Sequence, residues 1–376
     1  VEIIIKGLVS FFGLGYLLIV VDIIRGWNKI KNPQVTKDSH TTKVSVIIPA
    51  RNEEKMIGLC VGDVLKQNYP TELLEIIVID DHSTDKTAEV IQQIDYPNLK
   101  LIRLKADPAL NSYKKKAIAD AIHIASGDLI VTTDGDCRMG ENWIRSVVNE
   151  YECTGNKMIS SPVVYFEECS MFEEMQTLEF MMLVSLGAAT LSNGRAGSCN
   201  GANLAYEKKA FYEVEGFNGI DNIASGDDEL LLHKMMVSYS GRVSFLKQRD
   251  AIVYTHAKPS VKEFIMQRRR WASKSVKYKN KAMVAMGLTV FAFYVSVLLL
   301  GAVAVFYPEC RHFFWSVFMF KLVLDMIWAL PIVRFFNRMS VLAWAPVVCF
   351  IHLFYLVYIG FAGQSKQYEW KGRMVR

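Results

Sequence analysis

The sequence predicts an α/β protein, with a mostly parallel sheet in the middle of the chain and apolar helices at its two ends. Three observations carry that expectation. Short β-branched runs alternate with helical periods from Lys43 onward, apolar residues are concentrated at the ends, and carboxylates recur just after strands. The 376 residues are 51% hydrophobic and 22% charged, with a mean hydropathy of +0.18. A soluble protein usually averages below zero, so a positive mean marks local concentration of apolar residues. Composition thus excludes a disordered tail protein, a collagen-like chain and a freely soluble enzyme.

The first element is the apolar stretch 3–24, long enough at about 20 residues to cross a hydrocarbon core as a helix. A cleaved signal peptide is the alternative, but no small-x-small cleavage site follows, since Asp22 is succeeded by Ile23, Ile24, Arg25, Gly26 and Trp27. Residues 1–26 therefore read as an N-terminal transmembrane anchor and 27–42 as a basic linker. Arg25, Lys29, Lys31 and Lys37 place that flank, and the globular domain after it, on the cytoplasmic side, of the inner or plasma membrane in a bacterium. The seven cysteines include no C-x-x-C pair and are odd in number, as expected of reduced thiols.

Strands are expected over 44–48, 75–80, 99–102 and 128–133, separated by helices over 54–67, 84–93 and 112–126. Near-continuous apolar strands in such an alternation indicate a parallel sheet covered on both faces, whose ligands bind beyond the carboxyl ends of the strands. After Gly140 the pattern loosens. A long apolar-rich helix near 171–191 either lies on the membrane surface or buries a face that includes Glu173, Glu174 and Glu179. The globular domain extends over 43–260, an interfacial helix over 261–282, apolar membrane helices over 283–362 and a basic cytosolic tail over 363–376.

Three apolar blocks fall at 284–307, 313–333 and 341–361. Three full spans would put the basic tail (Lys366, Lys371, Arg373, Arg376) outside, against the positive-inside rule, so one block is expected to be re-entrant or interfacial. The net charge of +5 is too small to argue for nucleic acid. Of the basic clusters at 114–116, 268–281 and 366–376, the last two flank apolar segments and suit anionic headgroups.

Five stretches carry chemistry. Pro49-Ala50-Arg51-Asn52-Glu53 ends the first strand and Asp80-Asp81-His82-Ser83 the second. Thr84 and Asp85 suit a helix cap, but capping does not need the acid pair before them, and a carboxylate there can accept a nucleobase N–H. Thr133-Asp134-Gly135-Asp136 ends the fourth strand. Carboxylates at i and i+2 face one side of an extended segment and suit a hard divalent ion, Mg2+ or Mn2+, with Gly135 leaving room for a bulky ligand; a D-x-D is also a common turn. Gly226-Asp227-Asp228-Glu229 opens a helical period, where acids complement the dipole or serve as a general base. Gln267-Arg268-Arg269-Arg270-Trp271 reads either as a snorkelling basic helix with an aromatic belt residue, or as a guanidinium for a diphosphate beside an indole platform for a sugar.

In that order these motifs resemble the membrane-embedded family 2 glycosyltransferases of GT-A fold, which include cellulose, chitin and hyaluronan synthases and ceramide glucosyltransferase. The resemblance covers about 44–271. Glu369-Trp370-Lys371-Gly372-Arg373 is similar to the cytosolic end of ceramide glucosyltransferase, which favours the re-entrant topology. By resemblance, Pro49, Arg51 and Glu53 line a uracil pocket, Asp81 accepts the uracil N–H, and Lys116 lies near the nucleotide. Asp134 faces the ribose or donor sugar and Asp136 binds the metal. Gly201, in Asn200-Gly201-Ala202-Asn203, lets sugars approach the backbone. Asp228 is the catalytic base with Asp227 beside it, and Gln267, Arg270 and Trp271 complete the diphosphate and acceptor site. His256 is either a further metal or phosphate ligand or a structural histidine. The resemblance implies an inverting, metal-dependent enzyme that moves one sugar from a UDP-sugar to a lipid or lipid-linked acceptor in the bilayer. The alternatives are a processive polysaccharide synthase and a non-catalytic sugar-binding scaffold.

Overall fold

The computed structural model describes residues 2–31, 40–105, 112–223, 225–273, 280–363 and, as backbone, 368–370 and 373–375. Lys37, Lys366, Lys371, Gly372 and Arg376, expected in the basic linker and tail, lie outside the described residues.

Along the chain run α1 (Glu2–Lys29), β1 (Val44–Ala50), α2 (Ile57–Leu65), β2 (Leu74–Asp80), α3 (Thr87–Gln92), β3 (Leu99–Arg103), α4 (Tyr113–Ile124), β4 (Leu129–Thr132) and β5 (Arg138–Met139). There follow α5 (Trp143–Thr154), β6 (Met158–Ser160), β7 (Val163–Tyr165), α6 (Met171–Ser192), β8 (Leu204–Glu207), α7 (Lys208–Glu213), α8 (Glu229–Ser238), β9 (Val243–Phe245) and β10 (Val253–Thr255). The last helices are α9 (Val261–Ala272), α10 (Lys281–Phe306), α11 (Arg311–Phe335) and α12 (Ala345–Ala362). The chain divides into two compact units: one gathers α1, most of α6 and α9 to α12, and the other gathers the two large sheets with the remaining helices.

In the sheet unit, β2 is buried along its whole length and β1 at all but one position, which is why both read as unbroken apolar runs. The seven strands of the main sheet are ordered β3-β2-β1-β4-β8-β6-β9. Only β8 runs antiparallel to its neighbours, so the expected mostly parallel α/β sheet is what forms. Chain order reverses between β1 and β4, the place where open α/β sheets bind ligands. The register pairs Ala50 with Asp80 and Ile47 with Thr132, so the loops after β1, β2 and β4 emerge from one edge. A second sheet, β5-β10-β7, follows.

Two helices begin later than expected, for one reason. The amides of Met56 and Ile57 both donate to Glu53 O in a turn that precedes α2. Those of Thr84 and Lys86 donate to Asn52 Oδ1 and Glu54 Oε2, so α3 starts only at Thr87. The amides of Glu53 and Glu54, before α2, likewise donate to Thr87 Oγ1 and Asp85 Oδ2, so in both cases side chains take amides that a longer helix would have used.

In the helical unit, four helical segments are long and apolar enough to cross a membrane: Glu2–Lys29, Lys281–Phe306, Pro308–Phe335 and Met339–Ala362. The expected anchor and all three C-terminal blocks are therefore helical over sufficient length. For α6, the alternative that buries a face holds. Gln176, Thr177, Glu179 and Ser185 are buried, and Gln176 Nε2 donates to Lys258 O at 2.8 Å. Within α11, Lys321 and Asp325 form a buried pair at 2.6 Å, completed by the Tyr16 hydroxyl on Asp325 and by the Tyr294 ring, 4.9 Å from the ammonium. A buried pair of this kind survives only when its hydrogen-bonding groups are satisfied locally.

Candidate active site

The loops after β1 and β2 are laced together. Arg51 Nη1 donates to Asp81 O at 2.8 Å and His82 O at 3.1 Å, and Asp81 N donates to Ala50 O at 2.8 Å. Asn52, with φ of 54°, donates its amide to Ser83 Oγ, and Glu53 N donates to Thr87 Oγ1 at 2.8 Å. Asp80 Oδ1 accepts the Ser83 amide at 3.0 Å and closes the turn. Asp81 is 3% exposed, and its Oδ1 accepts from His82 Nδ1 at 2.9 Å. His82, with φ of 55°, sets its ring edge-on to Tyr113. Pro49, Arg51, Glu53 and Asp81 are thus brought to one edge, and Arg51 staples the two loops.

The acids after β4 meet those before α8 through a lysine. Lys114 Nζ lies 2.7 Å from Asp134 Oδ1 and 3.4 Å from Asp227 Oδ2. Burial works against the ammonium, but the carboxylates of Asp134 and Asp227 outweigh it and raise the Lys114 pKa above its ordinary value. Asp228 is the N-cap of α8: Oδ1 accepts Glu229 N at 2.7 Å and Oδ2 accepts Gly201 N at 3.1 Å. Gly201 O in turn accepts the hydroxyl of Thr132, at the end of β4, at 2.7 Å. Asp134, Asp227, Asp228 and Gly201 therefore form one connected cluster around Lys114.

Two glycines sit close against neighbouring side chains. A Cβ on Gly201 would lie 3.2 Å from Asp227 Oδ2 and 3.4 Å from Asp228 Cβ. A Cβ on Gly135 would meet Ile57 Cδ1 at 3.1 Å and Glu53 Cγ at 3.4 Å.

Lys116 is exposed and pairs with Asp120 one turn along α4, so Lys114 is the lysine that meets the acids. Three lysines in a first helical turn oppose the helix dipole, and that is the signal that at least one is held by something else. Among the described residues no group of three or more His, Cys, Asp and Glu is placed to hold a metal. Asp134 is held by Lys114, and His256, just after β10, packs on Phe166 with ring centroids 4.5 Å apart. What remains is chemically suitable all the same: Asp136 with Asp134 offers the one or two hard carboxylates that a hydrated Mg2+ or Mn2+ takes when phosphate oxygens supply the rest. The nearby thiols of Cys60 and Cys137 are pushed up by burial and then by the Asp136 carboxylate, which makes them poor nucleophiles.

In the helical unit, α9 carries Gln267, Arg270 and Trp271, but the residue most firmly held is Arg268. It is 3% exposed, donates through Nη2 to Glu179 Oε2 at 2.6 Å and through Nη1 to Gln267 Oε1 at 2.6 Å. Its guanidinium lies 4.5 Å from the Phe264 ring and 4.3 Å from that of Trp271. Trp271 also packs on Phe180, at 5.8 Å between centroids. Glu179 Oε1 accepts the Tyr355 hydroxyl at 2.7 Å. Burial pushes the Glu179 carboxyl up, and Arg268 foremost draws it back below its ordinary value. The sequence offers both residues but not their pairing, and a lone acid within the apolar run 176–191 is the available signal.

The sheet and its reversal point form an α/β domain of GT-A fold. Residues 45–214 match the model of glycosyl transferase family 2. The chain is 25% identical over 192 residues to the beta-monoglucosyldiacylglycerol synthase of Synechocystis sp., covering 50% of this chain and 40% of that protein. It is 33% identical over 124 residues to glycosyltransferase AglE of Haloferax volcanii, covering 32% of this chain and 40% of that protein. The chain thus spans about two fifths of the length of these curated relatives. A mannosyltransferase from Pyrobaculum calidifontis, solved in complex with GDP-Man and Mn2+, shares the fold with a TM-score of 0.60 at 16% identity, over 93% of this chain and 98% of that one.

Proposed function

We propose that this chain is an inverting glycosyltransferase that moves one sugar from a UDP-sugar to a lipid-borne acceptor at the cytoplasmic face of a membrane. The observation that carries the proposal is the cluster of Asp134, Lys114, Asp227 and Asp228 beyond the reversal point of a GT-A sheet. Arg51 and Asp81 hold the base, with Asp81 accepting the uracil N–H. Asp134 faces the ribose or donor sugar, and Asp136 with Asp134 holds a divalent cation, which when bound offsets charge on the diphosphate. Lys114 meets the leaving diphosphate; the roles of Gln267, Arg270 and Trp271 toward the diphosphate and acceptor rest on the resemblance alone. Asp228 takes the proton of the attacking hydroxyl. One of its oxygens accepts the Glu229 N–H and the other the Gly201 N–H, which fixes the direction of the carboxylate.

A lipid acceptor is favoured by the apolar helices in the same chain and by the name of the Synechocystis relative, a synthase of a glucosyldiacylglycerol. The test is a panel of sugar nucleotides with Mg2+ or Mn2+ and membrane lipids. Transfer with inversion to one lipid supports the reading; a ladder of oligomers replaces it with a processive synthase, and no nucleotide release from any donor replaces it with a scaffold. Asp228→Asn is expected to keep donor binding and to lose about 10²- to 10⁴-fold in turnover.

A further inference from the structure

The three lysines that open α4 have three different fates. Lys116 pairs with Asp120 in solvent and Lys114 with the acids. Lys115 is 2% exposed, and its Nζ donates to the carbonyls of Ile220, Ile223 and Ser225 at 2.9, 2.5 and 2.8 Å. An ammonium has three donors and no acceptor, so three carbonyls satisfy it one by one. Those carbonyls belong to the connection between α7 and α8, which has no strand ladder or helix to take them. Lys234 does the same from the α8 side, donating to Gly216 O at 2.8 Å and Asn218 O at 2.9 Å. Of these carbonyls only those of Gly216 and Ser225 belong to buried residues, and left unpaired they would need water instead.

The connection ends on the candidate site. Ser225 is followed by Gly226, with φ of 81°, and then by Asp227 and Asp228. We infer that Lys115 is a positioning residue: by collecting these carbonyls it fixes the direction in which Asp227 reaches Lys114 and Asp228 reaches Gly201. Adjacent lysines of one helical turn then hold the same loop twice, Lys115 by its backbone and Lys114 by its side chain. The effect on turnover rests on the glycosyltransferase reading above; the effect on the loop does not.

The experiment uses the full chain in detergent or lipid discs and compares Lys115→Met with Lys209→Met, an exposed lysine of α7, as control. Hydrogen exchange of amides 215–228 is expected to speed up about tenfold or more in Lys115→Met while the β1 and β2 amides stay protected. In the assay, kcat is expected to fall about tenfold or more with the donor KM within about threefold. Lys115→Ala supplied with ethylammonium, which can re-enter the carbonyl cradle, is expected to regain loop protection, and this arm decides the matter if Lys115→Met does not fold. Exchange over 215–228 within about twofold of the parent protein, equal loosening in Lys209→Met, or loss of donor affinity with kcat intact would overturn the inference. If the parent chain turns over no sugar nucleotide, the functional reading fails, and the exchange data still judge Lys115.

Discussion

The two compact units use charge in opposite ways. At the strand ends of the sheet unit the charges stay partly open: the side chain of Lys114 is 23% exposed and that of Asp134 37%. In the helical unit two pairs are sealed, Arg268 and Glu179 at 3% and 7% and Lys321 and Asp325 at 0% and 9%. An open pair gains little from its attraction, because water screens it, and its members are free to exchange partners. A sealed pair cannot exchange without leaving a buried charge behind, so it fixes helices relative to one another. The difference separates groups arranged to meet a ligand from groups arranged to hold a scaffold.

The contrast can be broken by substitution. Asp134→Asn, on the open side, is expected to lower turnover about 10²-fold or more while the unfolding midpoint stays within a few degrees, read by steady-state assay and thermal melting. A large fall in melting temperature with turnover intact would reverse its assignment. On the sealed side the expectation is the converse. Glu179→Leu strands Arg268 and should destabilise by about 3 to 5 kcal/mol, whereas the double change Glu179→Leu with Arg268→Met should recover most of that; denaturant unfolding decides, and equal losses in the single and double variants would refute the sealed-pair account.

Smaller effects sharpen the boundary. Gly201→Ala pushes a methyl group against Asp227 and Asp228, and about 1 to 3 kcal/mol of destabilisation is expected from the crowding. The pH response follows from the directions of shift. Glu179 and Glu75 are held below their ordinary values, Glu75 by Lys100 and Ser45 against the opposing effect of burial, so their stabilisation is complete above the ordinary carboxylate range near 4.3 and is lost as pH falls through the lower folded values. Lys114 is raised, so its contribution is complete below about 10.4 and is lost only as pH climbs through the higher folded value. Melting temperature should therefore be flat between about pH 6 and 9 and fall on the acid side first. A maximum below pH 4 would contradict this. Lys116→Met, exposed and screened, should move stability by no more than about 0.5 kcal/mol.

Much of the fold was legible because burial on both faces writes itself into composition. The strands Val44–Ala50 and Leu74–Asp80 could hardly be read as anything else, and the acids after them follow from where such strands end. The helix starts were not legible, because Asn52 and Glu54 reach across from another loop to take the amides of Thr84 and Lys86. The choice among three adjacent lysines was hidden for a similar reason. One residue along a helix turns a side chain by about 100°, and only the start of α4 at Tyr113 settles that Lys114 meets Asp134 while Lys116 faces water. Arg268 was obscured by the arginines that follow it, since nothing local distinguishes the one whose partner, Glu179, lies almost ninety residues earlier.

The cap that Asp228 places on α8 bears on how this chain can be silenced cleanly. Asparagine caps a helix about as well as aspartate, whereas alanine does not. An Asp228→Asn chain should therefore still start its helix through the amide oxygen, although its NH2 group, a donor, no longer accepts the Gly201 N–H, while Asp228→Ala would lose proton transfer and helix start together and report on neither.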